Sequence, residues 1–328
     1  MNLIIPMAGK GTRLRPQTLT TPKPLIEIAG KTIIQRIVEL VQKNSSKKIG
    51  HISFIITNED KNTEKQLSTI CTHYNIKHSI YYQHEPQGTA HAIYCAKDKL
   101  TGPVLIIFAD TLFETDFNFP LNADGCVFVK EVDDPSAYGV VKNDQKGRIL
   151  EFVEKPSTNI SNLAIVGIYY FAEGTMLANA INHILINKLK DKGEYQITTA
   201  LENMKNEGLE FLSFKINKWF DFGTPKTLLD SHHKILQKEN PTIKAFRDTI
   251  ITPPCYIADG VEITGSKIGP NVSIGENTNI TASEIKNTII QSNCNIKGAH
   301  FNHSILGNFV EYDRDFKDIN IGDYSKFK

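Results

Sequence analysis

The stretch LIIPMAGKGTRLRP at residues 3–16 decides the fold of this chain. Its apolar run at 3–5 predicts a short buried strand. A loop of small residues follows at once, and its glycines, Gly9 and Gly11, lack the Cβ that would keep an anion away from the backbone amides. An apolar strand that runs directly into such a loop predicts a phosphate site.

Two cations strengthen this interpretation. Arg13 lies in the loop itself, and Lys23 follows in the segment TPKPL at 21–25. Arginine supplies a fixed fork of donors and lysine a mobile point charge, so together they suit a polyphosphate. The sequence contains no Walker A string, and Leu14 stands where a dinucleotide fingerprint needs its third glycine. A glycine pair alone is also compatible with a simple tight turn.

Composition limits the classes of partner. The chain has 328 residues, enough for two domains, with 40% hydrophobic and 22% charged residues. The net charge of +1 gives no global field that would attract nucleic acid or a membrane surface, so we expect neither partner. The five cysteines are scattered, without a metal-binding spacing, and are typical of free thiols in a reducing compartment. Met1 leads straight into the first strand, so we expect a cytoplasmic chain without a signal peptide.

Strand and helix patterns alternate three times in the first 110 residues. This alternation predicts a Rossmann-like α/β domain with a mostly parallel sheet and helices on both faces. From residue 125 the pattern shifts towards strands. The predicted strands are 3–5, 51–57, 79–83, 104–109, 125–132, 138–142, 149–154, 165–171 and 211–216, and the predicted helices are 31–44, 60–74, 89–100, 173–189, 197–207 and 225–238.

A different repeat begins near residue 249. Isoleucines recur every five or six residues, with glycine and asparagine between them, which predicts hexapeptide coils of a β-helix. A small antiparallel β domain is the alternative. We therefore predict two domains, 1–245 and 246–328. The repeated isoleucines are Ile257, Ile263, Ile268, Ile274, Ile280, Ile285, Ile290 and Ile296.

Two aspartates are candidate metal ligands. Asp110 ends the apolar run at 104–109, and the carboxyl ends of such strands are where α/β sheets bind ligands. Asp221 lies between two phenylalanines, where an acid has little structural use. Two carboxylates and phosphate oxygens make a suitable Mg²⁺ site. A helix cap or a turn is the alternative for Asp110.

Other polar residues are candidates for substrate contacts. Gln83 and Gly88 could meet the edge of a base, although a surface glutamine beside a turn glycine is the simpler alternative. Glu154 and Lys155, before a proline, could hold a sugar hydroxyl and a phosphate, or form a solvated pair. His91 is expected to pack on its helix. His300 and His303 suggest acyl transfer in the coil region as an alternative activity, but we find no cleft partner for a general base there.

Taken together, these motifs resemble the sugar-1-phosphate nucleotidylyltransferases that carry a C-terminal left-handed β-helix. The resemblance covers residues 1–240. Its motifs are AGKGTR at 8–13, PKPL at 22–25, Gln83, GTA at 88–90, Asp110, YGV at 138–140, EKP at 154–156, VGIY at 166–169, GE at 193–194 and WFDFGT at 219–224.

The resemblance implies a reaction in which a nucleoside triphosphate and a sugar 1-phosphate give a nucleotide sugar and pyrophosphate, with Mg²⁺ as cofactor. UTP or dTTP with glucose 1-phosphate is expected, and the β-helix is expected to form a homo-oligomer. The implied catalytic residues are Arg13, Lys23, Asp110 and Asp221, with both aspartates as metal ligands. The implied nucleotide site is Ala8, Gly9, Gly11, Thr12, Arg13, Gln83, Gly88 and Thr89, and the sugar-phosphate site is Gly139, Glu154, Lys155 and Gly167.

Two departures from the family pattern leave the base and the sugar open. The segment QGTAHA at 87–92 is closer to uridylyltransferases acting on N-acetylated sugars, and Ala109 replaces the glycine usual before the aspartate. Two alternatives to the simple enzyme remain: a non-catalytic regulatory subunit that binds a sugar nucleotide, and a bifunctional enzyme with an acyltransferase in the β-helix. A dehydrogenase is disfavoured because the third glycine of the dinucleotide fingerprint and the acid that would bind the ribose are missing.

Overall fold

A computed structural model describes residues 1–9, 11–109, 111–115, 119, 123–158, 160–313, 320–323 and 326–327 of the chain. Asp110 lies outside these residues. The chain divides into two compact units. Unit 1 comprises residues 1–9 and 37–219, and unit 2 comprises residues 10–36 and 220–328.

Unit 1 is built on a nine-stranded mixed sheet. The strands are β1 (Asn2–Pro6), β2 (His51–Ile56), β3 (Lys77–Tyr82), β4 (Val104–Ile107), β5 (Gly125–Glu131), β6 (Gly139–Asn143), β7 (Ile149–Glu154), β8 (Leu163–Phe171) and β9 (Phe211–Lys215). Strand β1 lies between β2 and β4 with all three parallel, and β3 continues the parallel part beyond β2. Strand β8 joins β4, β5 and β6 in antiparallel pairs.

The core of this sheet follows from its sequence. Leu3, Ile4 and Ile5 of β1 are fully buried, as expected for a strand covered on both faces. The predicted helix at 89–100 is shorter than expected, because it ends at Tyr94 and a separate 3-10 turn follows at Lys97–Lys99. The helices of the chain are α1 (Ile33–Asn44), α2 (Lys61–His73), α3 (Thr89–Tyr94), α4 (Gly174–Ile186), α5 (Ile197–Asn206) and α6 (Pro225–Glu239).

Unit 2 joins an N-terminal segment to the C-terminal region. The segment contains two 3-10 turns, Thr12–Leu14 and Lys23–Leu25, and two short paired strands, Glu27–Ile28 and Lys31–Thr32. Helix α6 starts at a capping box in which Thr224 and Thr227 exchange hydrogen bonds. Two further short strands of the chain are Thr111–Glu114 and Lys218–Asp221.

The C-terminal repeat forms three parallel sheets of short strands, an arrangement consistent with the predicted left-handed β-helix. Equivalent apolar residues stack from coil to coil, as in the column Ile263, Ile280, Ile296 and Tyr312. The strands are Ile250–Ile251, Lys267–Ile268, Glu284–Lys286 and His300–Asn302; Cys255–Ile257, Val272–Ile274, Thr288–Ile290, Ile305–Leu306 and Asn320–Ile321; and Glu262–Thr264, Asn279–Thr281, Asn295–Lys297, Glu311–Tyr312 and Lys326–Phe327.

An asparagine ladder runs beside the isoleucine columns. Asn271 donates to Asn287 at 2.9 Å, and Asn287 donates to Asn302 at 2.9 Å, so side-chain amides bridge successive coils. Both Asn271 and Asn287 have positive φ, a conformation that asparagine tolerates better than most residues. In the described part of the chain, no helix has the length and apolar character needed to span a membrane.

Candidate functional site

A pocket of about 200 Å³ lies within unit 1, at the end of β7, the middle of β8 and the start of α5. Four of the predicted site residues line it together: Thr89, Gly139, Glu154 and Gly167. The first was assigned to the nucleotide and the other three to the sugar phosphate. The remaining lining residues are Phe108, Ala137, Tyr138, Ile165, Val166, Tyr169, Gln196, Ile197, Thr198 and Trp219.

The carboxylate of Glu154 is the charged group of this pocket. Its side chain is only 10% exposed, and its Oε2 accepts a hydrogen bond of 2.9 Å from Thr198 Oγ1. A Cβ at Gly139 would lie 3.1 Å from the same oxygen and 3.0 Å from the Thr198 methyl group. Gly139 therefore leaves the space that lets the carboxylate and the threonine pack against the backbone.

Two further glycines allow close backbone approach, Gly167 in the wall of the pocket and Gly88 next to the lining residue Thr89. Gly167 has a φ of +79°, and Phe108 N donates to its carbonyl at 2.9 Å. Gly88 has a φ of +113°, and a Cβ there would lie 2.5 Å from Tyr195 O. Both positions therefore favour glycine for a backbone reason. Next to Gly88, Thr89 Oγ1 donates to Gln196 Oε1 at 3.0 Å and accepts from Ile197 N at 2.9 Å, which joins α3 to the start of α5.

Trp219 brings an indole to the pocket wall. Its ring packs edge-on against Tyr138, with centroids 5.3 Å apart. Its Nε1 is buried and has no hydrogen-bond partner among the described residues. Leaving a buried N–H unpaired is unfavourable, so this donor is suited to a ligand hydroxyl or carbonyl.

Lys155 is not among the residues that line the pocket. Its Nζ lies 3.8 Å from Glu154 Oε1, and its side chain is 46% exposed. The residue has a φ of +40°, so the chain turns sharply directly after β7. Lys192 Nζ hydrogen-bonds the carbonyl of Lys155, which fixes this turn.

Gln83 follows β3 and is buried, and its side-chain amide is oriented by two neighbours. Nε2 donates to Gly88 O at 3.1 Å and lies 3.0 Å from Nδ1 of His91. An amide nitrogen can only donate, so His91 accepts here and is neutral, with its proton on Nε2. Burial lowers the pKa of His91, while the nearby Glu85 carboxylate raises it. The expectation that His91 merely packs on its helix misses this contact.

The loop after β1 is divided between the two units, so each part is described separately. In unit 1, Thr57 Oγ1 donates to Ala8 O at 2.7 Å. In unit 2, Gly11 has a φ of +56°, and its carbonyl accepts from Leu14 N at 2.9 Å and Thr18 Oγ1 at 2.7 Å. Thr12 and Arg13 are exposed beside this turn, and Arg13 has no ion-pair partner among the described residues. Lys23 is half-buried at the start of the second 3-10 turn.

Asp221 presents an exposed carboxylate in unit 2 at the end of a short strand. Oδ1 accepts from Gly223 N at 2.7 Å, and the Asp221 carbonyl accepts from Ser231 Oγ at 2.8 Å. The carboxylate has no ion-pair partner among the described residues. No group of three or more metal-binding side chains occurs in the described ranges. Mg²⁺ usually takes only one or two protein carboxylates and completes its shell with water and substrate phosphate, so Asp221 fits such a site.

Sequence reasoning did not single out several residues of the pocket. Thr198 and Gln196 lie at the start of α5, far along the chain from Glu154 and Thr89, and nothing local marks them. Trp219 offered a signal, because it is the only tryptophan and opens the motif that contains Asp221. The His91 contact could have been suspected from the eight-residue spacing to Gln83 only if the Gly88 turn had been known.

Comparison with known proteins agrees with this fold and its motifs. The profile of the nucleotidyl transferase family matches residues 3–238. This chain belongs to that family. The protein named "Bifunctional protein GlmU" from Methanococcus aeolicus is 32% identical over 94% of this chain and 77% of its own length. The glucose-1-phosphate thymidylyltransferase of Streptomyces antibioticus is 26% identical over 99% of both chains.

A solved structure supports the fold of this family member. The nucleoside-diphosphate-sugar pyrophosphorylase from Vibrio cholerae aligns with 70% of this chain and 99% of its own, with a TM-score of 0.60 and 21% identity. That structure bears on the fold alone, whereas the family profile and the curated relatives make the chain a nucleotidyltransferase of the sugar-1-phosphate type, as its motifs predicted. Enzymes of this type generally use a divalent metal ion.

Proposed function

We propose that this nucleotidyltransferase joins UTP or dTTP to glucose 1-phosphate. In this reaction a phosphate oxygen of the sugar phosphate attacks the α-phosphorus of the triphosphate. The bond from the α-phosphorus to the bridging oxygen breaks, and pyrophosphate leaves with that electron pair. Both substrates are anions, so the protein's task is alignment and neutralisation rather than covalent chemistry.

The pocket of unit 1 is the observation that carries this proposal. A hexose needs apolar walls for its ring faces and a few placed polar groups for its hydroxyls. The pocket offers the Glu154 carboxylate as an acceptor and the Trp219 N–H as a donor, between walls that include Phe108 and Ile165. Lys155, whose half-exposed side chain brings Nζ to 3.8 Å from Glu154 Oε1, is proposed to hold the phosphate of the sugar.

The orientation of Gln83 supports an imide base. Both hydrogen-bonding contacts of its side chain use Nε2, so Oε1 accepts nothing from the described residues. Uracil and thymine present an N3–H donor that matches this acceptor, whereas cytosine presents an acceptor at the same position. Uracil and thymine themselves differ by a methyl group, which a pocket distinguishes by only about 1–3 kcal/mol.

Arg13 is proposed to stabilise the departing pyrophosphate, with Lys23 as its partner and the amides after Gly9 and Gly11 around the triphosphate. A preformed cation is most effective where negative charge develops in the transition state. Arg13 is exposed and has no carboxylate partner among the described residues, so its charge is available to a substrate.

Mg²⁺ is the proposed metal ion, with Asp221 and Asp110 as its protein ligands. Asp221 contributes an exposed carboxylate whose orientation is fixed by Gly223 N. When bound, the ion would neutralise charge on the α-phosphate. Asp110 lies outside the described residues, so its part in the site rests on its place after the apolar strand.

One panel assay tests the proposal. Purified chain with Mg²⁺ is given each of UTP, dTTP, CTP, ATP and GTP with several sugar 1-phosphates, and released pyrophosphate is measured. We expect release with UTP or dTTP and glucose 1-phosphate, and release that is slower by roughly 10²-fold or more when Arg13→Ala protein replaces the wild type, which excludes a contaminating enzyme. Release with glucose 1-phosphate and CTP alone would contradict the base assignment.

The same assay separates the alternatives. A regulatory subunit would bind a sugar nucleotide but release no pyrophosphate with any pair. Acyl transfer in the β-helix would depend on His300 or His303. Both histidines are exposed, and neither lines the pocket described above. The predicted homo-oligomer stays a prediction, and light scattering of the purified chain tests it.

A further inference from the structure

The segment that follows Arg13 makes its buried contacts with the β-helix. Gln17 is 4% exposed, and its Nε2 donates to Ile305 O at 3.0 Å and to Ile321 O at 2.7 Å. These carbonyls belong to two strands that pair in successive coils. One amide group therefore joins the segment to two coils at once.

Further polar and steric contacts join the same segment to the β-helix. Thr20 and Thr21 both donate to Oδ2 of Asp323, the latter at 3.1 Å. Oδ1 of the same aspartate accepts from Asn308 N at 2.8 Å, so the carboxylate is itself held by the coil. A Cβ at Gly322 would lie 2.9 Å from Pro16 Cβ, so the two backbones pack closely.

The part of the segment beyond Lys23 is also attached to the β-helix. Gln291 Nε2 donates to Glu27 O at 3.0 Å. Gly30 lies so close to the Tyr256 ring that a Cβ would be 2.1 Å from it. Arg36 then fixes the end of the segment, because it donates to Ile28 O at 2.5 Å and pairs with Glu239 of α6.

These attachments matter because the segment has little regular structure of its own. Between residues 12 and 25 the described elements are two single 3-10 turns, and such turns have few internal hydrogen bonds. Leu14 and Leu25 are buried, but burial of one side chain does not fix the orientation of the residues next to it. The hydrogen bonds of Gln17 and Asp323 fix the orientation of the segment.

We propose that the β-helix is a supporting part of the catalytic site, because it holds Arg13 and Lys23 in place through the segment 16–30. Gln17 is the main positioning residue. The inference rests on the proposed function of the two cations. It assigns the β-helix a role in catalysis that is separate from any role in assembly.

Kinetics of two matched variants test the inference. Gln17→Met keeps the side-chain volume and removes both hydrogen bonds to the β-helix. Asn287→Ala removes rungs of the asparagine ladder, whose bonds run only to Asn271 and Asn302, and serves as the control for stability. Melting temperature, kcat and KM for both substrates are measured for each protein.

We expect Gln17→Met to lower kcat by roughly tenfold to 10²-fold, since a displacement of about 1 Å can have that effect on a positioned group. The KM for glucose 1-phosphate should change less than twofold, because its proposed pocket lies in unit 1. Asn287→Ala should keep kcat within about twofold of the wild type at an equal or larger loss of melting temperature.

A second variant covers the case in which Gln17→Met does not fold. Asp323→Asn keeps the shape of the side chain but weakens the bonds from Thr20 and Thr21, and we expect kcat to fall about threefold to tenfold. Wild-type kcat in a folded Gln17→Met or Asp323→Asn protein would overturn the inference, as would an equal loss in Asn287→Ala. A wild-type chain that releases no pyrophosphate would instead overturn the proposed function.

Discussion

The two halves of the proposed site are supported in different ways. The sugar pocket of unit 1 is built from residues of the main sheet, glycines in close contact and a helix start, with Trp219 of the short strand Lys218–Asp221 in its wall. The cation segment of unit 2, residues 12–25, which carries Arg13 and Lys23, consists of short turns that are hydrogen-bonded to the β-helix, as by Gln17 to the carbonyl of Ile305. The first kind of site is formed by the core of its own sheet, whereas the second consists of turns that are held by contacts with the β-helix. Changes in the β-helix should therefore affect the cations more than the sugar.

The largest expected effect comes from the charged groups that contact phosphate and metal. Arg13→Ala, Asp221→Asn and Asp110→Asn should each lower turnover by roughly 10²-fold or more, the range seen when one electrostatic stabiliser is lost. Pyrophosphate release under saturating substrate measures this. Arg15→Ala, which changes another exposed arginine nearby in the sequence, is the matched control. Unchanged turnover in any of the three variants would remove that residue from the mechanism.

A smaller and more selective effect is expected in the sugar pocket. Glu154→Gln keeps the shape but loses the charge that strengthens a hydrogen bond to a sugar hydroxyl, so KM for the sugar phosphate should rise about tenfold to 10²-fold. The KM for the nucleoside triphosphate should stay near its wild-type value. Glu131→Gln, at an exposed ion pair on β5, is the control and should leave both values unchanged. A matching rise in the nucleotide KM would mean that Glu154 does not act on the sugar alone.

The contact between Gln83 and His91 predicts a pH effect on base binding. The lowered pKa of His91 keeps the ring neutral near pH 7, so Nδ1 accepts from the amide. Because the pKa of His91 lies below the ordinary histidine value of about 6.5, the ring takes up a proton only at more acidic pH, where Nδ1 becomes a donor that faces another donor. We expect KM for UTP or dTTP to rise several-fold between pH 7.5 and pH 5, with a smaller change for the sugar phosphate.

A His91→Asn variant sharpens this test, because its side chain does not titrate in this range. It should show a flatter dependence of nucleotide KM on pH than the wild type. Glu85 is the charged group that opposes the lowered pKa of His91, so Glu85→Gln should shift the acid limb of the wild-type profile to lower pH. An acid limb that is the same in the wild type and in His91→Asn would show that another group is responsible.

The smallest effect on activity is expected at His232 in α6. Its ring is fully buried, neither nitrogen has a partner among the described residues, and burial, with His233 and Arg36, lowers its pKa to about 3. The unfolded chain binds the proton more readily than the folded one, so stability is full above about pH 6.5 and is lost as the pH falls towards 3. His232→Leu should make the loss of unfolding free energy between pH 7.5 and pH 5 about 2 kcal/mol smaller.

Urea unfolding at the two pH values measures this change in stability. The exposed His73 at the end of α2 supplies the control variant, His73→Leu, which should keep the wild-type dependence on pH. Activity at pH 7.5 should be near wild type in both proteins. If the unfolding free energy of His232→Leu falls with acid as much as that of the wild type, the buried ring is not the cause of the loss.

Much of the fold could be predicted because it depends on local patterns. The apolar run at 3–5 is the central strand, and the isoleucine repeat stacks as columns in the β-helix. The candidate site was predictable only where a motif carries it, as at Gly139, Glu154 and Gly167, which do meet in one pocket. Asp110 lies outside the described residues, so its predicted position stays a prediction.

The parts that the sequence could not reveal depend on distant residues. Gln17 has no motif of its own, and its acceptor Ile305 lies 288 residues further along the chain. Thr198 reaches Glu154 across 44 residues, and only the fold brings their side chains to 2.9 Å. The role of Tyr195 at Gly88 is of the same kind, because the backbone approach follows from the packing of α3 beside the start of α5. Such contacts are properties of the folded chain and leave no periodic signal.

Amide hydrogen exchange of the wild type and of Gln17→Met tests the contrast between the two halves most directly. The account predicts faster exchange in the segment 12–25 of the variant, because the turns lose the bonds that hold them, and unchanged exchange in the pocket segments 137–139 and 165–167. Unchanged exchange in 12–25, or an equal increase in both regions, would contradict the claim that the β-helix holds the cation segment while the sugar pocket supports itself.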